Sequence, residues 1–223
     1  MSDVLTIENL LFMLKGAGWG LLLALGAILI GGMIGILCAF GKTSKHALPN
    51  LIASIYVELF RGTPMLLQIL FFYLGVPVIY QRITGMRMNA NPYLVGLLAL
   101  SFNSGAYQSE LIRAGINGVD HGQWEACETL GINKVTAMKE IILPQAFKNI
   151  LPPIVSEFIM LIKDSSLISN IGALELLYAA QVLGKQYYDY LSPLLVAGLM
   201  YLIITIFTSW LAKQMERRLA LRD

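Results

Sequence analysis

The chain has 223 residues, enough for one domain of ordinary size, but 57% are hydrophobic and only 13% charged, which excludes an ordinary soluble globule. A net charge of +2 supplies neither the basic field that binds nucleic acid nor an acidic tail. Two cysteines, Cys38 and Cys127, make neither a disulfide framework nor a metal-ligand cluster, so no redox or metal chemistry is expected.

Asp3 and Glu8 precede the first apolar run without a basic segment, so the start does not read as a cleaved signal peptide. A bilayer core of about 30 Å needs about 20 apolar residues in a helix. Gly16 to Gly41, uncharged between Lys15 and Lys42, meets that length. Its Gly16/Gly20 and Gly31/Gly35 pairs have GxxxG spacing, which permits close backbone approach in general helix packing or at a dimer seam. Gly41-Lys42-Thr43 is not a phosphate-binding loop: Ile36 stands where that loop needs glycine, and an apolar membrane run stands where a strand is required. If nucleotide energy is used, another chain must bind it.

Ala47 to Tyr80 is long enough to span although Glu58, Arg61 and Pro64 interrupt it. Met88 to Ser109 is the next uncharged run, with Asn89, Asn91 and Pro92 marking entry to a helix that begins near Tyr93. The polar interval Glu110 to Lys148 follows. Within it Asp120 and Gln123 have the N-cap and N3 spacing of a capping box, Trp124 to Leu130 can form two turns, and Gly131 is placed to end them. Trp124, Cys127 and Leu130 share one face at helical spacing, which could lie on the membrane surface or dock into a groove on a partner. Asn149 to Ile162 carries Glu157 and runs into Lys163 and Asp164, and Tyr190 to Ala212 is the last uncharged run.

Five spans in a single all-α membrane domain are therefore expected. With the N-terminus outside, ten Lys and Arg fall on inside segments and five on outside segments, which favours N-out and C-in. His46 and His121 are isolated, so a membrane-embedded enzyme lacks its catalytic set. No internal repeat is visible, which counts against a secondary transporter of small polar solutes, the main rival reading.

Glu125-Ala126-Cys127, Gly131 after three residues and Ile141-Ile142-Leu143-Pro144 after nine resemble the EAA loop of bacterial ABC importer permeases, with Cys127 departing from the second alanine. Glu58 to Pro64, Asn103 to Tyr107, Lys163 to Leu167 and Glu216-Arg217-Arg218 resemble further stretches of the polar amino acid permeases in that family. The resemblance implies the five-helix, MetI-like fold of a type I importer in the bacterial cytoplasmic membrane. It also implies a second permease subunit, a pair of ATPase subunits using ATP-Mg, and an extracytoplasmic amino acid-binding protein. This chain itself would then hold no cofactor and catalyse no reaction. The loop at about 114–148 would couple to the ATPase through Trp124, Glu125, Ala126, Cys127, Leu130 and Gly131.

Arg61 and Asn103 each lie about 20 Å along their helices from opposite faces, by the rise per residue, and can meet at mid-bilayer. Charges at that depth usually face a cavity or a partner. Arg61 is expected to take a substrate carboxylate and Asp164 the ammonium, with Gln68, Asn103, Tyr107 and Ser165 adding neutral hydrogen bonds. Alternatively, Glu58 and Arg61 pair across one turn and only hold the kink.

Overall fold

The structure, a computed structural model, describes residues 6–220, without the side chains of 215, 216 and 218–220. Asp3, Arg222 and the Glu216 and Arg218 side chains lie outside the described residues.

The first helix, α1 (Ile7–Thr43), begins well before the expected Gly16 because Thr6 caps it by accepting from the Asn9 N–H. Glu8 in its first turn and Lys42 in its last complement the helix dipole. The four glycines of its two GxxxG pairs are spent within the chain. A Cβ on Gly31 would lie 3.0 Å from the Ser104 Cβ, and one on Gly16 would lie 2.6 Å from the Glu175 carbonyl oxygen. The GxxxG spacing thus serves close packing of α1 on its own neighbours.

Next come α2 (Ala47–Arg61), α3 (Met65–Leu70), a π-helical turn (Phe71–Gly75) and α4 (Val76–Thr84). Pro64 causes the interruption between α2 and α3, because it lacks an N–H and keeps Thr63 out of the helical region. The central helix α5 (Pro92–Asn117) starts as the sequence predicts: Asn91 accepts from the Tyr93 and Leu94 N–H groups, and Pro92 sits in the first turn. The loop carries α6 (His121–Thr129), α7 (Lys134–Thr136) and a second π-helical turn (Ala137–Ile142), which runs into α8 (Leu143–Asp164). A 3-10 segment (Ser165–Ile171), α9 (Leu176–Tyr187) and α10 (Leu191–Ala220) complete the chain.

The helix α5 packs against α1 and α8, and α2 crosses both α1 and α5. Leu23, Ala27, Ile69, Ala99, Leu100, Ile162 and Ile168 form the main buried cluster at the meeting of α1, α3, α5, α8 and the 3-10 segment. Glu175, fully buried, accepts from the Tyr178 N–H at 2.6 Å and the Tyr201 hydroxyl at 2.7 Å, tying α9 to α10. Large apolar side chains such as Leu29, Leu37, Ile203 and Phe207 face outward, as expected of a surface in lipid.

Among the described residues three helices, Ile7–Thr43, Met65–Thr84 and Leu191–Gln214, are long and apolar enough to cross a membrane. The pair Lys134–Ile171 and Leu176–Tyr187, bent by 46°, raises this to at most four among the described residues, so apolar length alone identifies fewer than the five expected spans. The shortfall lies in α5, which carries buried Ser101, Ser104, Gln108 and Ser109 toward its neighbours. Apolar length undercounts a helix that the protein itself surrounds. The expected span 47–80 likewise divides at the Pro64 break, leaving Met65–Thr84 as its apolar part.

Candidate functional site

In an unbroken helix the Phe60 carbonyl would accept from residue 64, but Pro64 has no N–H to give. Two side-chain amides replace it: Gln68 Nε2 donates to the Phe60 oxygen at 2.8 Å and Asn103 Nδ2 donates to it at 3.1 Å. Gln68 Nε2 also lies 2.9 Å from Thr63 Oγ1 and 3.0 Å from the Thr63 carbonyl, and Gln68 Oε1 accepts from Asn103 at 3.1 Å. Thr63 Oγ1 in turn donates to the Leu59 carbonyl at 2.8 Å. Gln68 is only 6% exposed, so leaving any of these groups unpaired would be costly. Asn103 thus meets the break at Phe60, one residue before Arg61. The amide N–H groups of Gln68 and Asn103 are engaged in holding the break.

Arg61 follows Phe60 and stays open. Its guanidinium lies 5.3 Å over the Tyr107 ring and its Nη1 is 3.9 Å from Glu110 Oε2, beyond hydrogen-bond length. Among the described residues it makes no ion pair with Glu58, so the one-turn pairing considered from the sequence is replaced by a contact to α5. Its side chain is 41% exposed and donates no hydrogen bond within the described chain. Glu110 is the hub: Lys42 Nζ donates to its Oε1 at 2.7 Å and Arg113 Nη2 to its Oε2 at 2.8 Å. Sequence patterning marks Glu110 only as the end of an uncharged run. Its i, i+3 spacing to Arg113 was the available signal, whereas Lys42 and Arg61 reach it through the fold. With Lys42 on Glu110 and Thr43 Oγ1 donating to the Ala39 carbonyl, the Gly41-Lys42-Thr43 triplet offers no phosphate cradle.

Asp164 ends α8, half-buried, and takes no hydrogen bond or ion pair from the described chain. The 3-10 segment after it packs against α3, α5 and α1. Ser165 is fully buried: its hydroxyl donates to the Ile162 carbonyl at 2.8 Å, and it meets α1 at Gly20. The fold thus brings Arg61, Gln68, Asn103 and Tyr107 together, while among the described residues Asp164 and Ser165 share no hydrogen bond or ion pair with that group.

In the loop, Asp120 caps α6 as expected, accepting from the Gly122 N–H at 2.7 Å. The reciprocal half of the capping box is absent, because Gln123 Oε1 accepts from Gln145 instead. Gly131 closes the helix at φ +70°, a left-handed conformation that favours glycine. The Ile132 N–H donates to the Cys127 carbonyl at 2.9 Å and the Gly131 N–H to the Glu128 carbonyl at 3.1 Å, as in a Schellman motif.

The outward face differs from the expected one. Cys127 is 3% exposed, and half-buried Trp124 packs on Val119, Ile142, Ala146 and Ile150. The chain's own α8 region thus covers Trp124, and Cys127 beside it is buried, whereas the sequence left that face without a cover. Glu125, Ala126, Leu130 and Gly131 remain outward, Leu130 at 75% exposure. A groove of about 540 Å³ between the end of α5 and α6 is lined by His121, Trp124, Glu125, Glu128 and Lys134 among others.

The sequence pattern of the family described as "Binding-protein-dependent transport system inner membrane component" matches residues 31–221. The chain belongs to this family. It is a permease subunit in a family of non-catalytic transport components. It is 40% identical over 211 residues to the putative glutamine transport system permease protein GlnP of Rickettsia typhi, covering 95% of this chain and 94% of the relative. To the arginine transport system permease protein ArtQ of Bacillus subtilis it is 38% identical over 218 residues, covering 98% and 97%. A crystal structure of an amino acid ABC transporter with histidines superposes at a TM-score of 0.88 with 37% identity, covering 95% of this chain and 96% of that one. An inward-facing MetNI methionine ABC transporter structure superposes at 0.73 with 14% identity, covering 96% and 99%, which establishes a MetI-like permease fold.

Proposed function

We infer that this chain is the permease subunit of an ABC-type importer of polar amino acids. Permease relatives named for glutamine and arginine, and the unspent guanidinium of Arg61 beside the clamped break, support this reading. ATP-Mg belongs to a pair of partner ATPase subunits, and an extracytoplasmic binding protein delivers the amino acid. The membrane part contains this chain and a second permease subunit, identical or related. The N-terminus lies outside and the C-terminus inside the bacterial cytoplasmic membrane, following the distribution of Lys and Arg. Five segments cross: α1, the α2–α4 stretch, α5, α8 and α10. The polar face of α5 is turned into the protein, where Gln108 donates to the Ile28 carbonyl of α1, a partner that lipid could not supply.

The substrate carboxylate binds Arg61 by charge-assisted hydrogen bonds, and its ammonium group binds Asp164, a half-buried carboxylate that takes no hydrogen bond or ion pair among the described residues. Gln68 and Asn103 act by holding the Pro64 break, Tyr107 by supporting the guanidinium, and Ser165 by fixing the start of the 3-10 segment next to Asp164. The outward edge of α6, with Glu125, Ala126, Leu130 and Gly131, docks the ATPase. Trp124 and Cys127, on the inner side, pass its movement to α8. Closure of the ATPase pair on ATP thereby shifts the cavity between faces of the membrane.

The test is reconstitution of the chain with its co-expressed partners in proteoliposomes, scanning the twenty common amino acids for stimulated ATP hydrolysis and uptake. ATP-dependent uptake of polar amino acids is expected. Uptake driven by a proton or sodium gradient without ATP would instead establish the secondary transporter.

A further inference from the structure

A carboxylate-binding arginine must be held in place yet keep its donors free. A long, part-exposed side chain left to itself populates many rotamers, while one fully bonded to an internal acid has nothing to offer a ligand. Arg61 lies between these limits. Both Glu110 oxygens are occupied first by other cations, Oε1 by Lys42 at 2.7 Å and Oε2 by Arg113 at 2.8 Å. The remaining attraction reaches Arg61 at 3.9 Å, close enough to orient its charge and too long for a hydrogen bond. The Tyr107 ring, 5.3 Å from the guanidinium carbon, supports one face of the group.

We propose that Glu110 is a positioning residue for the substrate carboxylate, aiming Arg61 at the ligand without consuming its donors. The inference rests on the reading of Arg61 as the carboxylate ligand. Three cations surround one acid, so the local field still attracts an incoming anion, and Lys42 and Arg113 keep Glu110 from capturing Arg61 outright. Without the Glu110 charge, Lys42, Arg61 and Arg113 repel one another and Arg61 turns away from the break.

The test is equilibrium binding to the purified permease–ATPase complex without its binding protein, so that the binding protein's own selectivity does not enter. The probes are the amino acid that stimulates ATP hydrolysis most among the twenty, and the same compound with its α-carboxylate converted to the amide. The intact complex prefers the acid over the amide. Glu110→Gln should weaken binding of the acid about tenfold, as expected for loss of one charge contact, and bring the acid-to-amide preference toward one. Glu110→Asp, which withdraws the carboxylate by one methylene, should lie between, at about a threefold loss.

An unchanged acid-to-amide preference in Glu110→Gln overturns the proposal. If Glu110→Gln does not assemble, Glu110→Asp carries the test, and an unaltered preference there is equally decisive. Failure of the underlying reading looks different: Arg61→Ala would then keep the full acid-to-amide preference.

Discussion

The α2–α3 break and the α6 loop handle polar groups in opposite ways. At the break, the Phe60 carbonyl freed by Pro64 is bound by the part-buried amides of Gln68 and Asn103, leaving the Arg61 guanidinium open. In the loop, the apolar side of α6 is covered by the chain itself, and the outward edge presents Glu125, Ala126 and Leu130. A segment inside lipid must satisfy its backbone internally, so an unspent charged group there stands out. On a loop in water, unspent polar groups are ordinary, and an exposed leucine beside a structurally fixed glycine is the more telling feature.

Substitutions can break or sharpen this contrast. The largest effect is expected from Gly131→Val, which forces a β-branched residue to φ +70° at the end of α6. ATP-driven uptake should fall by at least about tenfold, in line with a strain of about 1–3 kcal/mol together with loss of the docking geometry. Copurification of the ATPase should fall with it, and normal uptake would show that this helix is not the coupling element.

Asn103→Leu should come next, because it removes two donors from a buried clamp and leaves Gln68 Oε1 and part of the Phe60 carbonyl unpaired. A loss of about 1–3 kcal/mol is expected, read as a lowered midpoint in thermal unfolding of the complex. Leu130→Ala should do the reverse: stability of the chain changes by less than about 0.5 kcal/mol, as for an exposed position, while ATPase copurification declines. Equal stability losses for the two would erase the distinction between an internal clamp and an outward docking edge.

The smallest effect concerns acid. Asp189, between α9 and α10, accepts from the Ser192 hydroxyl and from its N–H at 3.2 Å, which holds its carboxyl below the ordinary value. Since the folded value is the lower one, this cap is fully present above the ordinary carboxylate pKa and is lost as pH falls through the lowered one. Amide exchange at the start of α10 should therefore rise faster in acid for the native chain than for Asp189→Asn. Parallel pH profiles would remove Asp189 from the account of that helix start.

Local features were legible in the sequence wherever one residue dictates its own neighbourhood. Pro64 as a break, Asn91 and Asp120 as caps and Gly131 as a stop all follow from backbone chemistry within a few residues. Counting helical rise set Asn103 against Arg61, whereas the fold brings Asn103 to the Phe60 carbonyl and Arg61 to Tyr107 and Glu110. Periodicity placed Trp124, Cys127 and Leu130 on one face but could not say what covers it, and the fold buries Cys127 while leaving Leu130 outward. The Glu110 hub was invisible for the same reason: Lys42, Arg61 and Arg113 converge from three helices. The apolar span count failed at α5 because a helix enclosed by protein can carry polar residues that a lipid-facing helix cannot.

The central claim is that a polar amino acid passes this chain held between Arg61 and Asp164. ATP-driven uptake in proteoliposomes by Arg61→Ala and Asp164→Asn variants, each with intact assembly and ATP hydrolysis, tests it most directly. The account predicts at least about a tenfold loss of uptake in both, from removal of one partner of a charge-assisted contact. Unimpaired uptake in both would contradict it.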